Sequence, residues 1–198
     1  MVVDCTIRGN YFGIFLSHAA GVTIEGNRIL DSSVYGIDPY GYTHDVLIAR
    51  NEVIGSGLHG IVLANHVTRI RVVANRIERA RAHGIVLFAG SNANVVTGND
   101  VRDVFDGVVI TDSSRNSVTG NSIERVRRFA LRISGRSDKN HIDANALTGA
   151  LVGVYVYRGA AGNRLIGNSF AGNAENVRVR ADATGNDVRP RPARSELP

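Results

Sequence analysis

Asparagine returns along this chain at a nearly fixed interval, and that interval leaves room for few folds. Asn27, Asn51, Asn75, Asn99, Asn121, Asn145 and Asn168 stand 22 to 24 residues apart, with Asn10 one shorter step earlier. A glycine register runs alongside at Gly13, Gly36, Gly60, Gly84, Gly107 and Gly153, with Ala130 in the vacant place. Self-similarity at a period of roughly 20–50 residues is the signature of a repeat architecture.

Each unit has the same internal grammar. After the register glycine comes an alternating segment, with Ile37, Ile61/Leu63, Ile85/Leu87, Val108/Ile110, Leu131/Ile133 and Val154/Val156 on one side. A second short segment precedes the asparagine: Val22/Ile24, Val46/Ile48, Ile70/Val72, then Val96, Val118, Ile142 and Leu165. One apolar residue follows two places after each asparagine, from Ile29 and Val53 to Leu147 and Phe170. Three short period-two segments with turns between them make strands, too short for helices. One unit cannot bury its own apolar side, but stacked units share a continuous core. The expected fold is therefore all-β: a single-stranded right-handed parallel β-helix of about eight rungs, three short strands per rung. At the strand spacing it forms a rod of roughly 35–40 Å. The asparagines are expected to form an internal amide ladder from rung to rung.

Charges follow the same register. One residue after the asparagine come Arg28, Glu52, Arg76 and Asp100; three after it, Glu78, Arg102 and Glu124. Opposite signs on neighbouring parallel strands attract across the sheet, so most arginines are expected to be structural. Arg125, Arg127, Arg128, Arg132 and Arg136 are less balanced, and offer either a solvated face or a polyanion patch.

The β-helix is expected over residues 1–187, lacking an N-terminal cap, since the first residues already read as part of a rung and an open end invites association. Residues 188–198 hold three of the four prolines (Pro190, Pro192 and Pro198) and are expected as a flexible tail. The formal net charge of +5 suits an anionic partner, although Lys139 as the sole lysine also fits a genome that writes Arg for Lys. An acidic polysaccharide is the expected partner, with neither nucleic acid nor membrane. No apolar run approaches the roughly 20 residues of a membrane span. The N-terminus lacks the basic and apolar stretches of a signal peptide. Cys5 stands alone, so no intrachain disulfide or cysteine metal cage is available.

One column breaks the pattern. The residue before the register glycine is Tyr35, His59, His83 and Asp106 on consecutive units. Asp38 and Tyr40 point outward on the first of these, Val62, Val86, Phe88 and Val109 on the units after it, and His44 and His66 lie in turns. A carboxylate, two phenols and two to four imidazoles thus gather on one face. Imidazoles and phenols with tuned pKa values suit proton transfer, and the C-5 hydrogen of a uronate, next to its carboxyl group, is a proton worth moving. Glycoside hydrolysis needs two carboxyl groups at a fixed separation; Asp106 lies three rungs from Asp38, roughly 14 Å away, so hydrolysis is disfavoured.

The segment Tyr35-Gly36-Ile37-Asp38-Pro39-Tyr40, with His44 and then His59-Gly60-Ile61, resembles the mannuronan C-5 epimerases, right-handed β-helices that carry a Tyr-Gly-x-Asp-Pro-His motif and a His-Gly one rung later. The likeness covers about residues 10–170, most of it generic repeat. It implies Tyr35 as catalytic tyrosine, Asp38 as site aspartate and His59 as second-rung histidine, in a periplasmic or secreted protein. Tyr40 stands in place of the motif histidine, so either activity is lost or altered, or Tyr40 or His44 takes over. Leu58 stands where a basic residue can precede the second histidine, which leaves Arg50, Arg69 and Arg81 as candidates to neutralise a substrate carboxylate. Substrate contacts are expected from His66, His83, Phe88 and Asp106.

Two other readings stay open. A non-catalytic module would bind carbohydrate or a second copy of itself through an uncapped end or the apolar outer residues; non-catalytic carbohydrate-binding and sugar-hydrolase repeat domains are similar. A metal shared by His59 and His83 with His44 or His66 lacks a full ligand set. No cofactor is expected; calcium stays open, without the Gly-Gly-x-Gly-x-Asp repeats that hold it elsewhere.

Overall fold

The structure, a computed structural model, describes residues 1–191. Strands of two to six residues follow one another from Val2–Val3 to Asp187–Arg189. Each strand pairs in parallel with the one three places on, so the chain winds as a coil with three faces. The result is a right-handed parallel β-helix of about eight turns, with sheets of nine, eight and eight strands. The sheet of longest strands contains Tyr35–Tyr40, His59–Ala64, His83–Phe88, Asp106–Thr111 and Phe129–Ser134. The aliphatic residues expected inside are there: Ile37, Ile61, Leu63, Ile85, Leu87, Val108 and Ile110 are fully buried in one core that runs the length of the coil.

The corners explain the asparagine register. The residue before each ladder asparagine has a left-handed backbone, as at Arg50 (φ 53°), Ala74 (φ 52°) and Ala144 (φ 56°), with glycine at the same place in other rungs. A non-glycine residue there costs about 1–2 kcal/mol, and the asparagine that follows offsets it. In Asn75, Nδ2 donates to Ile48 O at 2.9 Å and to Asn99 Oδ1 at 3.0 Å, while its backbone N donates to the same Oδ1 at 2.9 Å. The pattern repeats at Asn27, Asn51, Asn99, Asn121 and Asn145.

A second ladder went unread in the sequence. Asn94, Asn116, Asn140, Asn163 and Asn186 bond to one another through a different corner. In the earlier rungs that corner carries an aliphatic residue, as at Ile70, whose backbone N donates to Asn94 Oδ1 at 2.9 Å. The ladder therefore begins halfway along, where no repeat from the chain's start announces it.

The register glycines bring two faces together. A Cβ on Gly60 would overlap Ile77 Cγ2 and one on Gly84 would overlap Val101 Cγ1. That close approach makes the corner from which the preceding side chains, His59 and His83, leave the coil.

The charged columns pair as expected: Arg28 with Glu52 at 2.8 Å, Arg76 with Glu52 at 2.8 Å, and Arg125 with Asp103 at 3.0 Å. Exposed pairs of this kind contribute little each. At the far end, Asp187–Arg189 pairs with Arg164–Ile166 and carries the sheet past residue 187, where the sequence placed the start of a tail. The rest of that expected tail, from residue 192, lies outside the described residues.

Candidate functional site

In-register stacking turns sequence offset into position. Tyr35 lies beside His59 and His83 beside Asp106 in the long-strand sheet. Phe12, Tyr35, His59 and His83 stack ring on ring, with centroids 5.5, 5.2 and 4.9 Å apart. This aromatic column walls a groove of about 670 Å³ on the outer face of the sheet. The groove runs over six rungs, from Phe12 and Phe15 to Arg132 and Ser134, with Arg158 at its rim, a length of roughly 24 Å at strand spacing.

The floor is aliphatic. Val62, Val86 and Val109 occupy one outward row and Ala64 the next, and all four are buried in a small cluster of their own against Tyr35. Of the apolar residues expected on the outer face, Phe88 is 47% exposed and Val62, Val86 and Val109 form the floor of the groove. Tyr40 lines the same edge of the groove, 41% exposed and 6.1 Å from the Phe15 ring.

Titratable groups in the groove are displaced from their ordinary values. Asp38 is 3% exposed, its Oδ1 has no hydrogen-bond partner among the described residues, and burial pushes its carboxyl up to about 7. Burial pulls the His59 imidazole down to about 4, with the neighbouring His83 and Arg132 adding to the effect. Tyr35 is held above the usual phenol value by burial and by the charge of Asp38. His83 is lowered by burial, against the opposing pull of Asp106. Near neutrality this wall therefore presents an uncharged imidazole and a protonated phenol beside a carboxyl at its midpoint. An acid, a base and a tunable carboxyl side by side are what proton transfer requires.

Several expected participants lie elsewhere. His44 faces away from the groove: its Nδ1 is 2.7 Å from Asp45 Oδ2 and 3.2 Å from the Arg69 guanidinium, on the surface of another corner. His66 stacks on Tyr42, centroids 5.3 Å apart, and does not line the groove. The imidazoles that meet are two, His59 and His83. Asp106 is fully buried, so it touches no substrate. Its oxygens instead accept Arg128 Nε and Nη2 at 3.0 and 2.8 Å and Arg132 Nε at 2.8 Å. Arg50 pairs with Glu25, Arg69 with Asp45, and Arg81 lines a separate hollow with Asp103 and Arg127. None of these three reaches the groove, and its guanidinium groups come from Arg132 and Arg158. Arg132 was visible in the sequence only as one of an unbalanced set; its outward register beside Val109 is the signal that places it here.

A family model described as a right handed beta helix region matches residues 1–101 and 40–170. A stretch of 48 residues is 38% identical to a mannuronan C5-epimerase of Pseudomonas aeruginosa, covering 24% of this chain and 9% of that protein. Among solved structures, the periplasmic alginate epimerase AlgG superposes with a TM-score of 0.90 over 95% of this chain and 49% of its own, at 22% identity. The A-module of the Azotobacter vinelandii mannuronan C-5 epimerase AlgE4 follows, with a TM-score of 0.85 over 92% of this chain and 56% of its own, at 15% identity. What the two structures share with this chain is the fold, and the chain spans about half the length of each.

Proposed function

We propose that this chain, which belongs to the right handed beta helix family, acts on an acidic polysaccharide laid along the groove, by moving the C-5 proton of a uronate unit. The observation that carries this reading is one stretch of the groove lined by Tyr35 and His59 from the wall and Asp38 from the floor, with opposed pKa displacements. The partial likeness to a mannuronan C5-epimerase and the shared β-helix support it.

The chemistry needs three things: a base for the C-5 proton, relief of charge on the adjacent carboxylate, and an acid. His59, unprotonated down to about pH 4, is the base. Asp38, protonated up to about pH 7, donates a hydrogen bond to the substrate carboxylate as charge builds there. Tyr35, protonated throughout this range, is the acid. When the C–H bond breaks, its electron pair spreads into the carboxylate. Return of a proton to the opposite face of C-5 gives the epimer. Alternatively, the pair closes a C-4/C-5 double bond, the C-4–O bond breaks, and the departing oxygen takes the proton, which is β-elimination. Neither path needs a redox partner.

Turnover is expected to rise as pH passes about 4, where His59 loses its proton, and to fall as pH passes about 7, where Asp38 ionises. Tyr35→Phe and His59→Ala are each expected to lower turnover by about a hundredfold or more, the usual worth of a general acid or base. Uronate turnover that survives both substitutions sinks the assignment. Tyr40 in the motif histidine's place and the aliphatic floor favour a second reading, a groove that binds sugar without transforming it. Binding of oligouronate with no exchange at C-5 would select that one.

A further inference from the structure

Arg132 is held more firmly than a groove-lining arginine needs to be. Its Nε donates to Asp106 Oδ2 at 2.8 Å and its Nη1 to the Tyr157 hydroxyl at 2.9 Å, while Nη2 lies 3.4 Å from His83 Nε2. Asp106 is fully buried and is itself fixed by the fork of Arg128, whose guanidinium lies 4.6 Å from the centroids of both Phe105 and Phe129. One buried carboxylate therefore faces two guanidinium groups, and one positive charge is left over at the groove. A guanidinium has five N–H donors; two are committed to Asp106 and Tyr157, and hydrogens on Nη1 and Nη2 remain for a ligand.

The position of this charge matters as much as its presence. Asp38 belongs to the second rung, His83 to the fourth and Asp106 to the fifth. Arg132 itself belongs to the sixth rung, and its guanidinium touches side chains of the fourth, fifth and seventh, so it stands two rungs or more from Asp38, at least roughly 10 Å along the groove. Between the two ends the floor is Val62 and Val86, without charge. A carboxylate at Arg132 thus belongs to a different sugar unit from the one that meets Asp38 and His59.

We infer that Arg132, anchored by Asp106 and Tyr157, forms an anion subsite that takes the carboxylate of a neighbouring uronate unit and so sets the register of the polymer in the groove. A forked, pre-positioned guanidinium suits a carboxylate, and holding it in advance spares the ordering cost at binding. The inference rests on the reading of the groove as a uronate-polymer site, and it assigns Arg132 to binding and register, with only a through-space effect on the His59 imidazole.

The test titrates a mannuronate tetramer, and the same tetramer with its carboxyl groups reduced to alcohols, into wild-type protein and variants by calorimetry, with proton exchange at C-5 followed in parallel. Wild-type protein is expected to prefer the acidic tetramer by tenfold or more. Arg132→Gln is expected to weaken acidic-tetramer binding about tenfold, the scale of a lost charged hydrogen bond, and to leave the neutral tetramer unchanged. Tyr157→Phe, which leaves Asp106 with both arginines, gives a smaller loss of the same preference and serves where Arg132→Gln fails to fold. An acid preference untouched by both substitutions overturns the inference while leaving the proton-transfer reading standing. The predicted loss of preference in protein that exchanges no C-5 proton sinks the proton-transfer reading and keeps the subsite. Absence of wild-type binding to either tetramer overturns both.

Discussion

Asn99→Leu leaves the chain largely unfolded at room temperature. The leucine matches the asparagine in size, and the site is buried, so the loss is one of hydrogen bonds. Asn99 Nδ2 donates to Val72 O at 2.9 Å, Thr97 O at 3.2 Å and Asn121 Oδ1 at 2.9 Å, and its Oδ1 accepts both the backbone N and the Nδ2 of Asn75. Asn75 N then has no partner and no room for water, while Asn75 Nδ2, Val72 O, Thr97 O and Asn121 Oδ1 each lose one bond. At about 1–3 kcal/mol for the buried group left unpaired and about 1 kcal/mol for each of the four other bonds, the loss is about 5 kcal/mol, which rivals the 5–15 kcal/mol total stability typical of a domain. The damage also propagates, because each asparagine orients the next and a coil of this kind depends on nearest-neighbour interfaces. A thermal melt by circular dichroism checks it. A cooperative transition within a few degrees of wild type would mean that the ladder is ornament and that the aliphatic core alone sets the stability.

Asp38→Asn is the second large effect, and it runs the other way: the variant is more stable than wild type at pH 8 and equal to it at pH 4. The folded protein holds the Asp38 carboxyl at about 7 against an ordinary 3.8. Between those values the folded state binds the proton more tightly than the unfolded state, so stability falls as pH rises. The penalty is absent below about pH 4, grows up to about pH 7 and is constant above it. Its ceiling, from the shift at 1.36 kcal/mol per pKa unit, is about 4 kcal/mol. Asparagine carries no charge to bury and keeps the shape. His59 has the opposite sign: its folded value of about 4 lies below the ordinary 6.5, so its contribution is lost as pH falls through that window. Subtracting the variant from wild type at each pH isolates Asp38. An equal midpoint for both proteins at pH 8 would show that the carboxyl is not held in its neutral form. The protein therefore carries a destabilising carboxyl at the one place where its chemistry would use it, the usual trade between stability and activity.

The fold was legible because parallel stacking in register copies a sequence period into space. The interval between Asn27 and Asn168 became the ladder, and the residue before each register glycine became the Tyr35–His59–His83 column. Where the period breaks, the sequence was silent. The second ladder begins only at Asn94, because earlier rungs fill its corner with aliphatic residues such as Ile70. The turn histidines illustrate another limit. His66 (φ 64°), Asp45 (φ 54°) and Arg69 (φ 53°) occupy left-handed corners, which redirect side chains in a way no alternation pattern predicts. His44, tied to two of them, therefore points away from the face it was expected to share. Asp106 shares a column with His83, but Arg128 and Arg132 reach back 22 and 26 residues to cover it. Such reach belongs to long flexible side chains and leaves no trace in spacing. The displacement of Asp38 is equally invisible in sequence, since it comes from the burial of one outward aspartate beside a row of valines.

The most direct test of the account is a proton NMR time course of polymannuronate with this protein in D2O at pH 5.5, between the displaced values of His59 and Asp38. The account predicts loss of the H-5 signal, with guluronate signals appearing if the proton returns to the opposite face or unsaturated-residue signals if the chain is cleaved, and neither in His59→Ala. An H-5 signal that persists unchanged in the presence of bound polymer would contradict it.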